Sequence, residues 1–179
     1  MKILVIHPWD KTTRELKKVY EGYDADFLTK KGFMPKDVEE KLKNNRYDRI
    51  YLLGHGDPYG LIDMKNGSYI FGDRFYKLYI EGTDTELVCI FCNADAWVIR
   101  NHACNAFATG MFISEQREAA YYGISESKAG IRRGFVLFCD VLHELVLAPL
   151  DQFKKTISEK YVGTDPVTKF NRNEMMIYG

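Results

Sequence analysis

The chain has 179 residues, within the usual span of one domain and long enough to bury a substantial core without disulfide support. Its 25 Lys and Arg balance 25 Asp and Glu with no basic stripe, which argues against nucleic acid as the main partner. The opening apolar run ends at His7-Pro8-Trp9-Asp10, too short for a signal segment or a membrane span, so a soluble, cytoplasmic protein is expected.

In chain order, Lys2 to His7 reads as a first strand. Thr12-x-x-Glu15 then has the form of a capping box, opening a helix whose apolar face is Leu16, Val19 and Tyr20. Asp26 to Thr29 is a short second strand. Pro35 starts a second helix with Val38 and Leu42 on one face, before a strand over Asp48 to Leu53. Gly56 to Tyr69, rich in Gly, Asp, Asn and Tyr, reads as a loop, and Asp73 to Ile80 as a helix. Leu87 to Phe91 is the next strand. Ala94 to Ala108 is expected to be helical, Gly110 to Ser114 and Ala119 to Ile124 strand-like, and Ser125 to Val146 a long amphipathic helix. Asp151 to Tyr161 reads as a further helix, and Asp165 to Gly179 fits no single element.

This alternation predicts a single α/β domain over residues 1–179, a three-layer α/β/α sandwich built on a mainly parallel sheet. A flavodoxin-like strand order, 2-1-3-4, sets the third and fourth strands side by side and brings their carboxyl ends to one edge. The third delivers Gly54-His55-Gly56 and the fourth Cys92-Asn93-Ala94. A histidine and a cysteine at neighbouring strand ends have the layout of a thiol nucleophile beside its base. His7 and Asp10 fall on the same edge.

The cysteines Cys89, Cys92, Cys104 and Cys139 are too few for a disulfide framework, and reduced thiols are expected, with Cys89 and Cys139 as small core residues. Cys89-x-x-Cys92 with His102-x-Cys104 has metal-ligand residue types, but positions three apart in a strand point to opposite faces. No metal and no cofactor are expected.

A hydrophobic strand ending in His-Gly, a structured spacer, and a hydrophobic strand ending in Cys together resemble the caspase-like cysteine peptidases, the group that includes caspases, gingipains, clostripain-like peptidases and CHAT domains. The resemblance covers about Asp48 to Ala108. It implies His55 as the catalytic histidine, Gly56 as the glycine after it, Cys92 as the nucleophile, and a peptide or protein substrate. Phe91 departs from the pattern, since members commonly carry a small residue before the cysteine; it either crowds the substrate channel or packs beneath it. A prodomain is not apparent.

Under this reading His55 and the helix starting after Cys92 lower the thiol pKa from its ordinary ~8.5. Backbone N–H groups of Gly56 and Cys92 serve as oxyanion donors, and His55 protonates the leaving amine. Asp57, Asp95 and Asp10 are candidates to orient the imidazole. Asn93 and Asp95 either line the site or cap the following helix. Glu115 either lines a pocket for a basic side chain or begins a solvated helix. Trp9 and Trp97 are expected as half-buried aromatics near the same edge, and His102, His143 and Arg100 as ordinary helix residues. Two other readings stand beside the hydrolase: a catalytically inactive caspase-like binding or regulatory module, and a flavodoxin-like binder of a nucleotide or sugar using His7-Pro8-Trp9-Asp10 with the Gly54-His55-Gly56 turn. The third lacks a phosphate-cradle motif. Substrate preference and oligomeric state are not set by the sequence.

Overall fold

The computed structural model describes residues 1–29 and 32–179. Its centre is a six-stranded sheet in the order β2-β1-β3-β7-β8-β9. Strands β1 (Ile3–Ile6), β2 (Asp26–Leu28), β3 (Arg49–Leu53), β7 (Glu86–Ile90) and β8 (Ala106–Thr109) run parallel. The last strand, β9 (Met175–Tyr178), is antiparallel to β8.

Helices cover both faces, which is why the inner strands are almost continuously apolar. Because side chains alternate along a strand, Leu4, Ile6, Ile50, Leu52, Leu87 and Cys89 face one way. They pack under α2 (Pro35–Asn44), α3 (Asp73–Tyr79) and α4 (Ala94–Arg100), through Val38, Leu42, Phe75, Tyr76, Trp97 and Val98. Ile3, Val5, Tyr51, Leu53, Val88 and Ile90 face the other way. They meet α1 (Lys17–Tyr20), α6 (Lys128–Glu144) and α7 (Asp151–Lys160) through Val19, Phe135, Phe138, Leu142, Phe153 and Ile157.

Several segments differ from their sequence expectation. Gly56 to Tyr69 is not a loop: with its flanks it forms a three-stranded antiparallel sheet of β4 (His55–Asp57), β5 (Gly60–Asp63) and β6 (Ser68–Gly72). Its turns are fastened by Asp57, which accepts from the Tyr59 N–H at 2.7 Å, and by Asp63, which accepts from the Lys65 N–H at 3.0 Å. Strands this short and this rich in turn residues carry little alternation to read.

The helix expected to reach Ala108 stops at Arg100. His102 and Asn105 both take positive φ, and the Asn101 side chain donates back to the Trp97 carbonyl at 2.9 Å. Ala106-Phe107-Ala108 then becomes a strand because it is buried on both faces, against the helix preference of alanine.

Gly110 to Ser114 begins with a bend and joins no sheet; Asn171 holds it, accepting from the Ile113 N–H at 2.8 Å and donating to the Ile113 carbonyl at 2.9 Å. The strand expected over Ala119 to Ile124 is instead the end of α5 (Gln116–Tyr121) and the turn after it. The unassigned tail supplies α8 (Pro166–Asn173), capped by Asp165 accepting from the Thr168 N–H at 2.8 Å, and then β9. Among the described residues no helix is long and apolar enough to cross a membrane.

Candidate active site

The site is assembled by three adjacent parallel strands. β1 and β7 flank β3, with Leu53 opposite Ile90, and the last bond of the β3–β7 ladder runs from the Gly54 N–H to the Ile90 carbonyl at 3.0 Å. Gly54 then takes φ +143°, a conformation that disfavours any side chain, and turns the chain out of the main sheet into β4, which begins at His55. One strand over, β7 ends at Ile90. Cys92 sits on the tight turn after it, with Asn93 left-handed at φ 59°, where asparagine is tolerated.

His55 and Cys92 line the same cleft, together with Thr13, Phe91, Phe112 and Glu118. The cleft is narrow, about 20 Å³, room for roughly one water. The Cys92 thiol donates to the Phe112 carbonyl at 3.8 Å. Burial pushes the thiol pKa up to about 11; backbone hydrogen bonding at Phe112 works against this, and the Glu118 charge adds to it. This shift runs opposite to the lowering expected from His55 and the following helix.

The imidazole is fixed from the β1 side. Asp10 Oδ2 lies 3.1 Å from His55 Nε2, and the Thr12 hydroxyl 2.8 Å from the same nitrogen. Thr12 spends its single hydroxyl hydrogen on Asp10 Oδ1, at 2.7 Å. Nε2 must therefore carry the proton, shared between the Thr12 oxygen and Asp10, which leaves Nδ1 as the basic nitrogen. Burial pushes the Asp10 carboxyl upward. Hydrogen bonds from the Thr12 hydroxyl and from the Thr13 and Thr12 N–H groups, with attraction to His55, outweigh it and hold the pKa at about 2.

The anticipated capping box at Thr12 and Glu15 is replaced by this turn. Asp10 accepts from the Thr12 N–H at 2.8 Å and the Thr13 N–H at 3.1 Å, forming a turn ahead of the short helix that follows Thr13, and the Thr12 hydroxyl meets His55. Glu15 pairs instead with Arg132 at 2.9 Å. Thr12 was missed as a site residue; the Asp-x-Thr-Thr spacing directly after a strand was its signal.

Of the three carboxylates proposed to orient the imidazole, the structure brings Asp10 to it. Asp57 is committed to the small sheet, accepting from Tyr69 Oη at 2.6 Å. Asp95 lies beside Gly110 at the β8 end; burial, with the Asp95 charge adding to it, raises the Tyr178 pKa. Asn93 is a turn residue whose N–H reaches the Gly110 carbonyl at 2.9 Å. Glu115 lines a separate groove next to the cleft, while Glu118, which sequence reasoning passed over, lines the cleft itself.

Gly56 is explained by packing. A Cβ there would overlap the Phe91 ring and lie 2.6 Å from the Gly60 carbonyl oxygen. Phe91 is buried beneath the small sheet and meets Trp97 edge to face at 6.3 Å, so it forms the floor of the site.

Trp97 is fully buried, its indole N–H donating to Asp73 at 3.1 Å; Trp9 is half-buried, with Lys17 Nζ 3.6 Å from its ring centre. His7 is fully buried with Nδ1 3.1 Å from Tyr20 Oη. His102 and Arg100 close the α4 end, and His143 lies on α6 against the Val19 carbonyl at 3.3 Å.

All four cysteines are free, and among the described residues no group of three or more His, Cys, Asp or Glu is placed to hold a metal. No protein-family model matches the chain, and no curated protein matches its sequence.

Proposed function

We propose that this chain is a cysteine hydrolase of the caspase-like type, cleaving peptide amide bonds with Cys92 as nucleophile and His55 as base. The observation that carries the reading is the convergence of three adjacent strand ends: Cys92 and His55 line one cleft, and Asp10 with Thr12 fixes the imidazole tautomer.

A neutral thiol requires base-assisted attack instead of a preformed ion pair. As sulfur bonds to the substrate carbonyl carbon, the thiol proton passes to His55 Nδ1; the negative charge on the carbonyl oxygen is met by the backbone N–H groups of Gly56 and Cys92. The C–N bond then breaks, and the imidazolium returns its proton to the leaving amine. Water, activated by the same nitrogen, hydrolyses the thioester. Asp10 stabilises the imidazolium formed between these steps. The chemistry needs a reduced thiol, which suits a reducing compartment such as the cytoplasm.

A second reading, a non-catalytic binding module on the same fold, is favoured by the 20 Å³ cleft and by the raised thiol pKa. Labelling with peptidyl chloromethyl ketones, followed by mass spectrometry on each cysteine, separates the two. The hydrolase is expected to label at Cys92, and His55→Ala to slow this by about 10²-fold or more. Labelling at exposed Cys104 alone, or at Cys92 with no dependence on His55, supports the binding module.

A further inference from the structure

Beside the His55–Cys92 cleft, and sharing Ser114 and Phe135 with it, lies a groove of about 450 Å³. It runs between the turn after β1, the start of α5 and the first turns of α6. Lys11, Arg14, Arg117, Lys128 and Arg132 contribute cationic groups to its walls; the carboxylates come from Glu15 and Glu115. Glu15 is already neutralised, held by Arg132 at 2.9 Å and Arg14 at 3.7 Å. Among the described residues no carboxylate pairs with Lys11, Arg117 or Lys128, and all three are exposed. In a chain whose formal charge is zero, this is a local excess of positive charge set against the thiol.

The groove is also tied to the candidate catalytic group. Thr12, whose hydroxyl touches His55 Nε2, lines it, so a ligand seated there lies within one side chain of the imidazole.

We infer that this groove binds an acidic peptide segment, carrying several carboxylates, and lays the chain alongside Cys92. The inference rests on the proposed hydrolase for the fate of the bound peptide, but not for its binding. Lys11, Arg117 and Lys128 supply point charges and one guanidinium fork to the carboxylates. Cations that line one groove without carboxylate partners repel, and a bound acidic segment relieves that repulsion. The reading in which Glu115 lines a pocket for a basic side chain is outweighed by its neighbours, since Lys11, Arg117 and Lys128 line the same groove.

The test measures binding to Cys92→Ala by fluorescence anisotropy, with two labelled peptides of one length: one rich in Asp and Glu, the other with Asn and Gln at those positions. Expected is at least tenfold tighter binding of the acidic peptide, weakening as salt is raised, and loss of that preference in the Arg117→Gln/Lys128→Gln double variant. Both substituted residues are exposed, and circular dichroism checks that the variant is folded. Equal affinity for the two peptides, no binding of either, or a preference that survives the double variant overturns the inference. Its failure is distinct from failure of the hydrolase reading: an acidic preference with an unreactive Cys92 leaves a binding groove without catalysis, and a reactive Cys92 with no acidic preference leaves catalysis without this groove.

Discussion

His7 and His55 lie at the carboxyl ends of neighbouring strands and have opposite surroundings. His55 is partly exposed and has a carboxylate and a hydroxyl on its ring; His7 is fully buried and has Tyr20. Burial, reinforced by the Lys17 charge, lowers the His7 pKa from 6.5 to about 3, against pulls from the Thr13 backbone and Asp10. The native state therefore keeps His7 neutral where the unfolded chain protonates it. Stability from this residue is complete above pH 6.5 and is lost as pH falls toward 3, at up to ~1.4 kcal/mol per pH unit. Urea midpoints measured between pH 7 and 4 are expected to fall, and His7→Asn to flatten that fall; parallel slopes in the two proteins exclude His7 as a source. Sequence position put both histidines on the site edge, but position says nothing about burial.

Between elements, one close fit is where β4 crosses the turn after β7. Gly56 exists there because Phe91 and the Gly60 carbonyl fill the space a side chain would need. Gly56→Ala is expected to destabilise the protein by about 1–3 kcal/mol, the usual range for forcing a methyl into packed surroundings. Gly67→Ala, where nothing lies within 4 Å but φ is +61°, separates overpacking from backbone strain. Thermal unfolding of the two variants decides it: a loss at Gly56 no larger than at Gly67 sinks the packing account. Arg100 secures the same region from α4, donating to Asp73 at 2.6 Å and to the Pro58 carbonyl at 3.1 Å. The small sheet is thus held from both ends, and His55 with it.

Across the sheet as a whole, the two ends of the strands have separate work. At the amino end of β3, Arg49 is 1 % exposed and ties the sheet to the helical layer of α6 and α7. Its Nε donates to Glu86 on β7 at 2.7 Å, and its other nitrogens to the Val146 and Ala148 carbonyls past α6, at 2.8 and 2.7 Å. Removing one partner of such a buried network typically costs about 3–5 kcal/mol. Arg49→Met is expected to lower the urea midpoint by a corresponding amount, while Cys92 labelling, at the opposite end of the strands, keeps its rate in the folded protein. A stable Arg49→Met protein argues that the carbonyls find other donors.

The sequence was enough for the features that depend on local pattern. The apolar runs of β1, β3 and β7, the Pro35 and Asp151 helices and the amphipathic stripe of α6 were legible because burial on one or both faces imposes a period. That His55 and Cys92 come to one sheet edge was legible because each follows such a run. Folding alone selected Asp10 from among three acidic candidates, released Thr12 from its expected cap, sent Glu115 to a neighbouring groove, and put Glu118 and Phe112 against the thiol. It also turned Ala106 to Ala108 from helix to strand and built a sheet from a presumed loop. These outcomes depend on which segments meet across long separations in the chain, where packing and desolvation exceed the few tenths of a kcal/mol that local preference supplies. The thiol's protonation state is the clearest case: a cysteine's neighbours in sequence do not set its pKa, and the water excluded around it does.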